Sequence, residues 1–244
     1  MPTCHAWGTL DLPGTAIPLT AVNGDQSAAV FAFGWPEADS AYNNIGTSAF
    51  VQRALTRFPG QVPRQLTGII RDDGASRVYM VEGNVNGAGS ALEWVRKEFG
   101  MDQLTNELAQ WLARPGQPPL FLNGIAGLGG PFWQPEFESR FVGEAEPWLK
   151  AVAVVESIAF LLQANIDHMN AYVAAAQRIR ISGLPVHRRD DPEASARGIA
   201  YLACGRPADW NQGAHEDLFP AQPDAALQAR YRRWRALMAQ ATGI

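Results

Sequence analysis

One short stretch near the N-terminus predicts a strand, a tight turn and a helix in succession, and it constrains the chain more than any other feature. The apolar run Ile17–Val22 ends in Asn23-Gly24, after which come Asp25 and an amide. An apolar pattern then covers Ala28–Phe33, as a short helix or a continued strand. Asn-Gly is a strong turn signal, so the pattern places Asp25 where a helix begins.

A carboxylate at this position has two possible roles. It can cap the helix, because the first turn of a helix leaves backbone N–H groups without partners and an Asp side chain accepts from them. It can instead project from the end of a strand into a cleft and act as a general base. The local sequence leaves both roles open, so the choice depends on the other motifs of the chain.

Length and charge limit the class of protein. The chain has 244 residues, which allow one large domain or two small ones, and 47% of them are hydrophobic, enough for a sizeable core. The net charge is −4, and the nearest approach to a basic cluster is a C-terminal set that apolar residues interrupt: Arg230, Arg232, Arg233 and Arg235. That pattern is typical of a solvated helix face, so we expect no nucleic-acid partner.

The cysteines and the apolar segments favour a cytoplasmic protein. Cys4 and Cys204 lie far apart in sequence and form no metal or redox motif, as in a reducing compartment. No basic region followed by an apolar core appears at the N-terminus, so no signal peptide is expected. The most apolar stretch, Trp148–Leu162, falls short of the about 20 apolar residues that a membrane span needs. It predicts a buried helix and no membrane partner.

The first third of the chain predicts an antiparallel meander. Residues 1–16 carry Pro2, Pro13 and several glycines, and they predict an irregular lead-in. The segment 71–74, Arg-Asp-Asp-Gly, is a hairpin signal between two apolar runs. Strands are predicted at Ile17–Val22, Asn44–Val51 with an internal turn of small residues, Leu66–Ile70 and Val78–Val81.

The spacing of apolar residues along the sequence then changes to that of helices. Apolar residues recur at helical spacing, and short apolar runs separate the helices. Helices are predicted at Ala88–Phe99, Leu104–Leu112, Glu146–Gln177, Pro192–Cys204 and Ala221–Ala241, and short strands at Leu120–Leu122, Arg178–Ser182 and Pro185–Arg188. Hairpins come first and αβ units later, so the fold class is α/β or α+β.

Three glycine-rich segments are candidates for phosphate binding. The segment 127–130, Gly-Leu-Gly-Gly, precedes Pro131 instead of a helix, so it predicts a structural turn and not a dinucleotide loop. Gly46-Thr47 presents an N–H and a hydroxyl to a phosphate oxygen, or else marks a β-bulge. Gly89 stands where a helix begins, and a small residue there allows close approach of a ligand or of another backbone. The four histidines show no metal-ligand spacing, and no metal site is predicted.

The order of the motifs is more specific than any one of them. Five motifs follow one another: 24–29 (Gly-Asp-Gln-Ser-Ala-Ala), 46–48 (Gly-Thr-Ser), Glu82-Gly83 with Gly89 and Trp94, 124–133, and 193–203. This order resembles the C-terminal lobe of the FGGY carbohydrate kinases, the family of glycerol, xylulose and gluconate kinases, from about Gly8 to Gly205. The resemblance implies an α/β fold of the actin-like ATPase, ribonuclease H-like type, with a mixed sheet flanked by helices.

The resemblance also implies an activity and a set of site residues. The activity is ATP-dependent phosphorylation of a sugar or polyol hydroxyl, with Mg²⁺. Asp25 matches the general base that takes the proton from the acceptor hydroxyl, and Gln26 matches a residue beside the acceptor. The positions that match the nucleotide site are Gly46, Thr47, Gly89 and Glu93.

The chain departs from the family pattern at two places. Residues 1–20 resemble only the end of a first lobe, so we interpret them as a lead-in and residues 21–244 as the C-terminal kinase domain. Near 183–185 the chain runs from Ser182-Gly183 straight into Leu184-Pro185, where family members carry a Gly-Gly turn and a helix. That turn helps to hold the nucleotide in the family.

These departures imply a partner and leave a second hypothesis open. A first lobe from elsewhere, or a second copy, is the expected partner of the face that carries Asp25 and Phe132-Trp133, because apolar surface would be exposed there. The alternative function is a non-catalytic kinase remnant that acts as an interaction or nucleotide-binding module. Arg197 also stands where the family usually has a small apolar residue.

Overall fold

The computed structural model describes residues 2–183, 193–211 and 219–244. The chain divides into two compact units. Unit 1 consists of the described residues within Met1–Asn44, Phe50–Glu82 and Met169–Leu218. Unit 2 consists of those within Ile45–Ala49, Gly83–His168 and Phe219–Ile244.

Strands predominate in unit 1 and helices in unit 2. The strands are β1 (Cys4–Leu12), β2 (Thr15–Ala21), β3 (Ser40–Ile45), β4 (Ala49–Leu55), β5 (Leu66–Asp72), β6 (Arg77–Val85), β7 (Leu120–Leu122), β8 (Arg140–Val142) and β9 (Arg178–Gly183). The helices are α1 (Asp25–Ala29), α2 (Gly89–Glu98), α3 (Leu104–Ala113), α4 (Pro147–Asn170), α5 (Ala194–Ala203) and α6 (Ala225–Thr242). A 3₁₀ turn, Val30–Phe33, continues α1.

The lead-in is a β-hairpin, so the prediction of an irregular segment at residues 1–16 is wrong. Strands β1 and β2 pair antiparallel, with Leu10 opposite Ile17. The proline and glycine that suggested irregularity, Pro13 and Gly14, form the turn, where Gly14 has a φ of 84°. That left-handed backbone is easy for glycine and strained for other residues.

A five-stranded sheet organises unit 1. Its order is β5-β6-β4-β3-β9, and the sheet is mixed, as predicted. The predicted hairpin signal is confirmed, because β5 and β6 pair antiparallel on either side of it. The small-residue turn predicted within Asn44–Val51 is confirmed as the connection between β3 and β4.

Helices α1 and α5 cover one face of this sheet. A buried cluster joins them to the strands: Val30, Phe31, Tyr42, Ala54, Ile70, Val78, Met80, Tyr201 and Leu202. Helix α5 approaches α1 so closely that a Cβ on Gly198 would overlap with the Ala28 carbonyl oxygen. Glycine is therefore required at that crossing.

Unit 2 packs its helices around a central aromatic cluster. The Phe121 ring of β7 stacks on Trp94 of α2 with 5.4 Å between ring centroids. Helix α6 is anchored by Trp234, which is fully buried and whose Nε1 donates to the Phe121 carbonyl at 3.0 Å. Arg230 of the same helix donates to the Pro118 carbonyl and pairs with Glu156, so it is no part of a solvated basic face.

Helix α4 is the long apolar helix that the sequence predicts. It ends at Asn170 instead of Gln177, where the Asn170 side chain accepts the N–H of Ala176 at 3.4 Å. By length and composition it could cross a membrane, but 67% of its apolar window is buried inside the protein. That burial is typical of the core helix of a globular unit. The strand predicted at Pro185–Arg188 lies outside the described residues.

Candidate active site

The turn before α1 is anchored by its asparagine. The Asn23 Nδ2 donates to the Ile70 carbonyl of β5 at 2.9 Å, and its Oδ1 accepts the N–H of Gly24 at 3.0 Å. One side chain therefore ties the turn to the sheet and shapes its backbone. These two hydrogen bonds of Asn23 fix the point at which α1 begins.

Asp25 is the first residue of α1 and does not cap it. The N-cap is Gly24, whose extended backbone has φ −70° and ψ 148°, and no side chain caps the helix. The Asp25 Oδ1 accepts only the N–H of its neighbour Gln26, at 2.9 Å. Its Oδ2 accepts no hydrogen bond from the residues that the structure describes. The helix-cap interpretation is wrong, and the exposed carboxylate remains available to a ligand.

The other end of the α1 segment is fixed from α5. The Arg197 Nε donates to the Ala32 carbonyl at 2.8 Å, and the Trp210 Nε1 donates to the same oxygen at 3.2 Å. The Arg197 guanidinium lies over the Trp210 ring, 5.0 Å from its centroid. An arginine in place of a small apolar residue thus gives this chain additional contacts that hold the segment bearing Asp25.

The turn at Gly46-Thr47 and the start of α2 are joined by backbone hydrogen bonds within unit 2. The N–H groups of Gly89 and Ser90 donate to the carbonyls of Gly46 and Thr47, at 2.9 and 3.0 Å. A Cβ on Gly89 would lie 2.7 Å from the Gly46 oxygen. The first N–H donors of α2 are therefore bound by the turn, and Gly89 permits the close approach of the two backbones.

Thr47 keeps an exposed hydroxyl at this turn. Its side chain makes no hydrogen bond to any described residue, whereas the neighbouring Ser48 donates to the Asn86 carbonyl at 3.2 Å. A threonine hydroxyl can donate to a phosphate oxygen and is the one side-chain donor that the Gly46–Ser48 turn leaves exposed.

Glu93 lies on the exposed surface of α2, four residues after Gly89 and so on the same side of the helix. It pairs with Arg96 at 2.8 Å and with Lys97 at 3.1 Å. Hydrogen bonds from Arg96 and Lys97 lower the pKa of the Glu93 carboxyl to about 2. The group is ionised at neutral pH and already has cationic partners on its own helix.

The structure brings the predicted site residues together in two groups. Asp25 and Gln26 are neighbours at the start of α1 in unit 1. The second group, in unit 2, consists of Gly46, Thr47, Gly89 and Glu93. In the part of the chain that the structure describes, no cluster of three or more metal-ligating side chains is present.

The glycine-rich segment at 127–130 is a structural turn, as predicted. The Gly130 N–H donates to the Asn84 Oδ1 at 3.0 Å, and a Cβ on Gly129 would lie 2.6 Å from the Asn84 carbonyl oxygen. No helix follows before α4 at Pro147. The segment therefore offers no helix N-terminus to a dinucleotide.

Comparison with known families identifies the chain. The family model described as the C-terminal domain of the FGGY family of carbohydrate kinases matches residues 41–183. The match covers more than half of the chain, so the chain belongs to the FGGY family of carbohydrate kinases. The resemblance inferred from the ordered motifs is confirmed.

Similar proteins include bacterial glycerol kinases. The glycerol kinase of Alkalilimnicola ehrlichii is 32% identical over 212 residues, which cover 77% of this chain and 43% of that protein. The glycerol kinase of Rhodopirellula baltica is 27% identical over 97% of this chain and 50% of its own length. The chain thus spans about half the length of these relatives.

Solved structures of kinases share the fold. Plasmodium falciparum glycerol kinase with ADP superposes with a TM-score of 0.83 at 19% identity, over 100% of this chain and 56% of that one. Xylulose kinase from Rhodospirillum rubrum gives 0.77 at 19% identity, over 98% and 56% of the two chains. The predicted actin-like fold is confirmed.

Proposed function

We propose that this chain is the C-terminal half of an ATP-dependent kinase that phosphorylates a sugar or polyol hydroxyl, and that it works together with a first lobe. The observation that carries the proposal is the state of Asp25. It is the first residue of a helix whose cap is a glycine, and it is exposed with one oxygen unbound by any described residue. A base for a substrate hydroxyl needs such a carboxylate.

The proposed reaction uses Asp25 as its base. Asp25 accepts the proton of the acceptor hydroxyl while the hydroxyl oxygen attacks the γ-phosphorus of ATP. The bond from that phosphorus to the β–γ bridging oxygen breaks, and ADP leaves. Phosphoryl transfer needs positioning and charge stabilisation more than covalent work by the protein. Gln26, next to Asp25 on α1, would contact the same acceptor.

The residues predicted to bind the nucleotide support the proposed reaction less directly than Asp25 does. The exposed Thr47 hydroxyl would donate to a phosphate oxygen, and Gly89 keeps α2 against the turn that presents it. Glu93 would face the nucleotide from the next turn of α2. Mg²⁺ would bind with the nucleotide and neutralise phosphate charge, held mainly by phosphate oxygens and water.

The β1–β2 hairpin, which covers most of residues 1–20, is our candidate for contact with the first lobe. Leu10 and Leu12 of β1 alternate onto one face of the ribbon, and Ile17 and Leu19 of β2 lie opposite on the same face. All four are exposed by 40% or more. Trp133 is also exposed, whereas Phe132 is buried. Apolar patches of this kind mark interfaces.

The alternative function, a non-catalytic module, has its own supporting observation. The carbonyls of Gly46 and Thr47 use the first N–H donors of α2, so that helix start has little left for an anion. The absent Gly-Gly turn after Ser182-Gly183 points the same way. A module that binds a partner through the β1–β2 hairpin would need neither feature.

Binding and reconstitution distinguish the two functions. Titration of the chain with Mg²⁺-ATP by calorimetry should give binding that weakens in Thr47→Ala and is unchanged in Thr105→Ala, an exposed threonine of α3. Mixing the chain with the N-terminal half of a glycerol kinase should then give phosphoryl transfer to a polyol. Absence of nucleotide binding at millimolar concentration, together with capture of that N-terminal half, would favour the module.

The hairpin interface has a direct test. Leu10→Ser combined with Ile17→Ser should lower the sedimentation coefficient of mixtures with the N-terminal half, and of any self-associated species of the chain alone. Thr9→Ser, on the opposite face of the ribbon, is the matched control. A chain that stays monomeric and ignores the N-terminal half would contradict the proposed partner.

A further inference from the structure

A groove in unit 2 carries charged side chains that the proposed reaction does not use. It has a volume of about 430 Å³ and lies between residues 133–140 and the C-terminal end of α6. We call it the 133–140 groove, and its lining includes Trp133, Glu136, Phe137, Glu138, Arg140 and Ala241. Two aromatic rings are thus combined with two carboxylates and one guanidinium.

The segment that forms this groove is fixed to α6. The Gln134 Nε2 donates to the Thr242 carbonyl at 2.8 Å, and the backbone N–H groups of Gln134 and Leu128 donate to each other's carbonyls at 3.0 and 2.8 Å. Trp133 has a φ of 54°, which a bulky residue rarely adopts, and 43% of the residue is exposed. The fold therefore holds an aromatic ring at the surface next to the end of α6.

The charges of the groove favour a cationic partner. Glu136 and Glu138 are exposed, and neither carboxylate makes an ion pair or accepts a hydrogen bond from the residues that the structure describes. The Arg140 guanidinium lies 5.6 Å from the centroid of the Phe137 ring. Two negative charges and one positive charge leave the groove negative, so a guanidinium or ammonium group complements it.

Helix α6 carries such cations beside the groove. Arg232 and Arg233 are exposed, and in the described part of the chain neither guanidinium makes an ion pair or donates a hydrogen bond. Arg233, the half-buried Leu237 and Ala241 follow one another at intervals of four residues, so they form one ridge of the helix. Because Ala241 lines the groove, this ridge runs from the cation to the acidic groove.

A surface with an acidic groove and a basic ridge can bind a copy of itself. About a two-fold axis the ridge of each copy meets the groove of the other, so every contact occurs twice. Arg233 of one copy would then meet the Glu136 and Glu138 carboxylates and the Trp133 ring of the other copy. A guanidinium suits both kinds of partner, and tryptophan and arginine are typical of the centre of an interface.

We propose that this surface of unit 2 binds a second copy of the chain, in a two-fold dimer in which the α6 ridge at Arg233 of each copy occupies the 133–140 groove of the other. The dimer does not rest on the proposed function. It uses neither Asp25 nor the β1–β2 hairpin, and it needs no nucleotide.

Exchange of charges between the groove and the ridge tests the dimer in the full chain. The groove variant is Glu136→Lys with Glu138→Lys, and the ridge variant is Arg232→Glu with Arg233→Glu. All four side chains are exposed, so both variants should fold. In each variant alone like charges meet at both contacts, so the dimer dissociation constant from sedimentation equilibrium should rise by at least about 10²-fold.

An equal mixture of the two variants should form a dimer again. Opposite charges then meet at both contacts, and native mass spectrometry distinguishes the mixed dimer by its mass. Neither misfolding nor a change in net charge produces such a recovery. The matched control is Glu98→Lys with Glu107→Lys, exposed acids of α2 and α3, which changes the net charge as the groove variant does and should leave the dissociation constant unchanged.

Three results would overturn the dimer. They are a parent chain that stays monomeric at millimolar concentration, a dimer that either charge exchange leaves intact, and a mixture that forms no mixed dimer. A dimer that responds to the exchanges as expected, together with no phosphoryl transfer in the reconstituted kinase, would contradict the proposed function and leave the dimer standing.

Discussion

Helices α1 and α2 both begin directly after a turn, yet their first residues do different things. Helix α1 starts at Asp25 behind a glycine cap, and the carboxylate is left exposed. Helix α2 starts at Gly89, and its first two N–H groups bind the carbonyls of the Gly46-Thr47 turn. One helix start presents an exposed carboxylate, and the first N–H groups of the other bind a neighbouring backbone.

A helix start can bind a ligand through its backbone N–H groups or through the side chain of its first residue. An N-terminus binds an anion only if its N–H groups are unpaired, and the α2 donors are paired. The exposed group that this turn leaves in unit 2 is the Thr47 hydroxyl. In unit 1 the exposed group is the Asp25 carboxylate, and its position depends on how firmly α1 is held from α5.

The largest expected effect comes from the contact that holds α1. Gly198→Ala places a Cβ against the Ala28 carbonyl oxygen, and backbone overlap cannot be relieved by turning a side chain. We expect a loss of about 3 kcal/mol in the free energy of unfolding of unit 1, although alanine alone would favour a helix by about 1 kcal/mol. Denaturant unfolding of the variant and the parent measures this loss.

The matched control is Gly68→Ala on β5, where a Cβ would meet no atom within 4 Å. This variant should be neutral or slightly stabilising, because alanine suits a strand better than glycine. Equal stability of the two variants would mean that α1 and α5 do not cross as closely as described.

A smaller loss is expected at the start of α2. Gly89→Ala places a Cβ 2.7 Å from the Gly46 oxygen, a less severe overlap than the closer approach at Gly198. We expect a loss of about 2 kcal/mol in unfolding free energy. If the Gly46-Thr47 turn presents the Thr47 hydroxyl to the nucleotide, ATP affinity measured by calorimetry should fall in the same variant. A stability loss with intact ATP affinity would separate Gly89 from the nucleotide site.

The buried carboxyl group of Glu82 in unit 1 makes the free energy of unfolding depend on pH. Burial raises the folded-state pKa of Glu82 above its usual 4.5, so the folded protein binds that proton more tightly than the unfolded chain does. The contribution to stability is full below 4.5 and is lost as pH rises through the folded-state value. Unfolding of Glu82→Gln at several pH values should show the variant gaining on the parent as pH rises; the opposite trend would contradict burial of Glu82.

The exposed carboxyl group of Glu93 in unit 2 makes stability depend on pH in the opposite direction, and this is the smallest expected effect. Arg96 and Lys97 lower the pKa of Glu93 to about 2, so its contribution is present above 4.5 and lost as pH falls towards 2. Because the group is exposed, salt should screen most of it. Glu93→Gln should cost little stability at neutral pH, and less at high salt; a salt-independent cost would indicate a buried role.

Most of the fold follows from local sequence signals. The hairpin between β5 and β6, strand β7 and the long helix α4 have turn residues or periodicity that act over a few positions. Local signals do not predict the β1–β2 hairpin, because Pro13 and Gly14 suggest an irregular segment. Strand β8, at Arg140–Val142, has only three residues, too few for a recognisable alternation.

The sequence predicts candidate site residues but not the contacts around them. The ordered motifs select Asp25 and Thr47, because both lie in short segments with distinctive residue types. The contact of Arg197 with Ala32 joins positions 165 residues apart, and that of Gln52 with Glu82 joins two strands. Such contacts depend on the tertiary fold, and no local pattern in the sequence marks them.

Phosphoryl transfer by Asp25→Asn distinguishes a general base from a helix cap at position 25. With the N-terminal half of a glycerol kinase, Mg²⁺-ATP and a panel of polyols, the variant should bind ATP as the parent does. Its transfer rate should fall by about 10²–10⁴-fold, the usual contribution of a general base. A variant that transfers phosphate as fast as the parent would contradict the account.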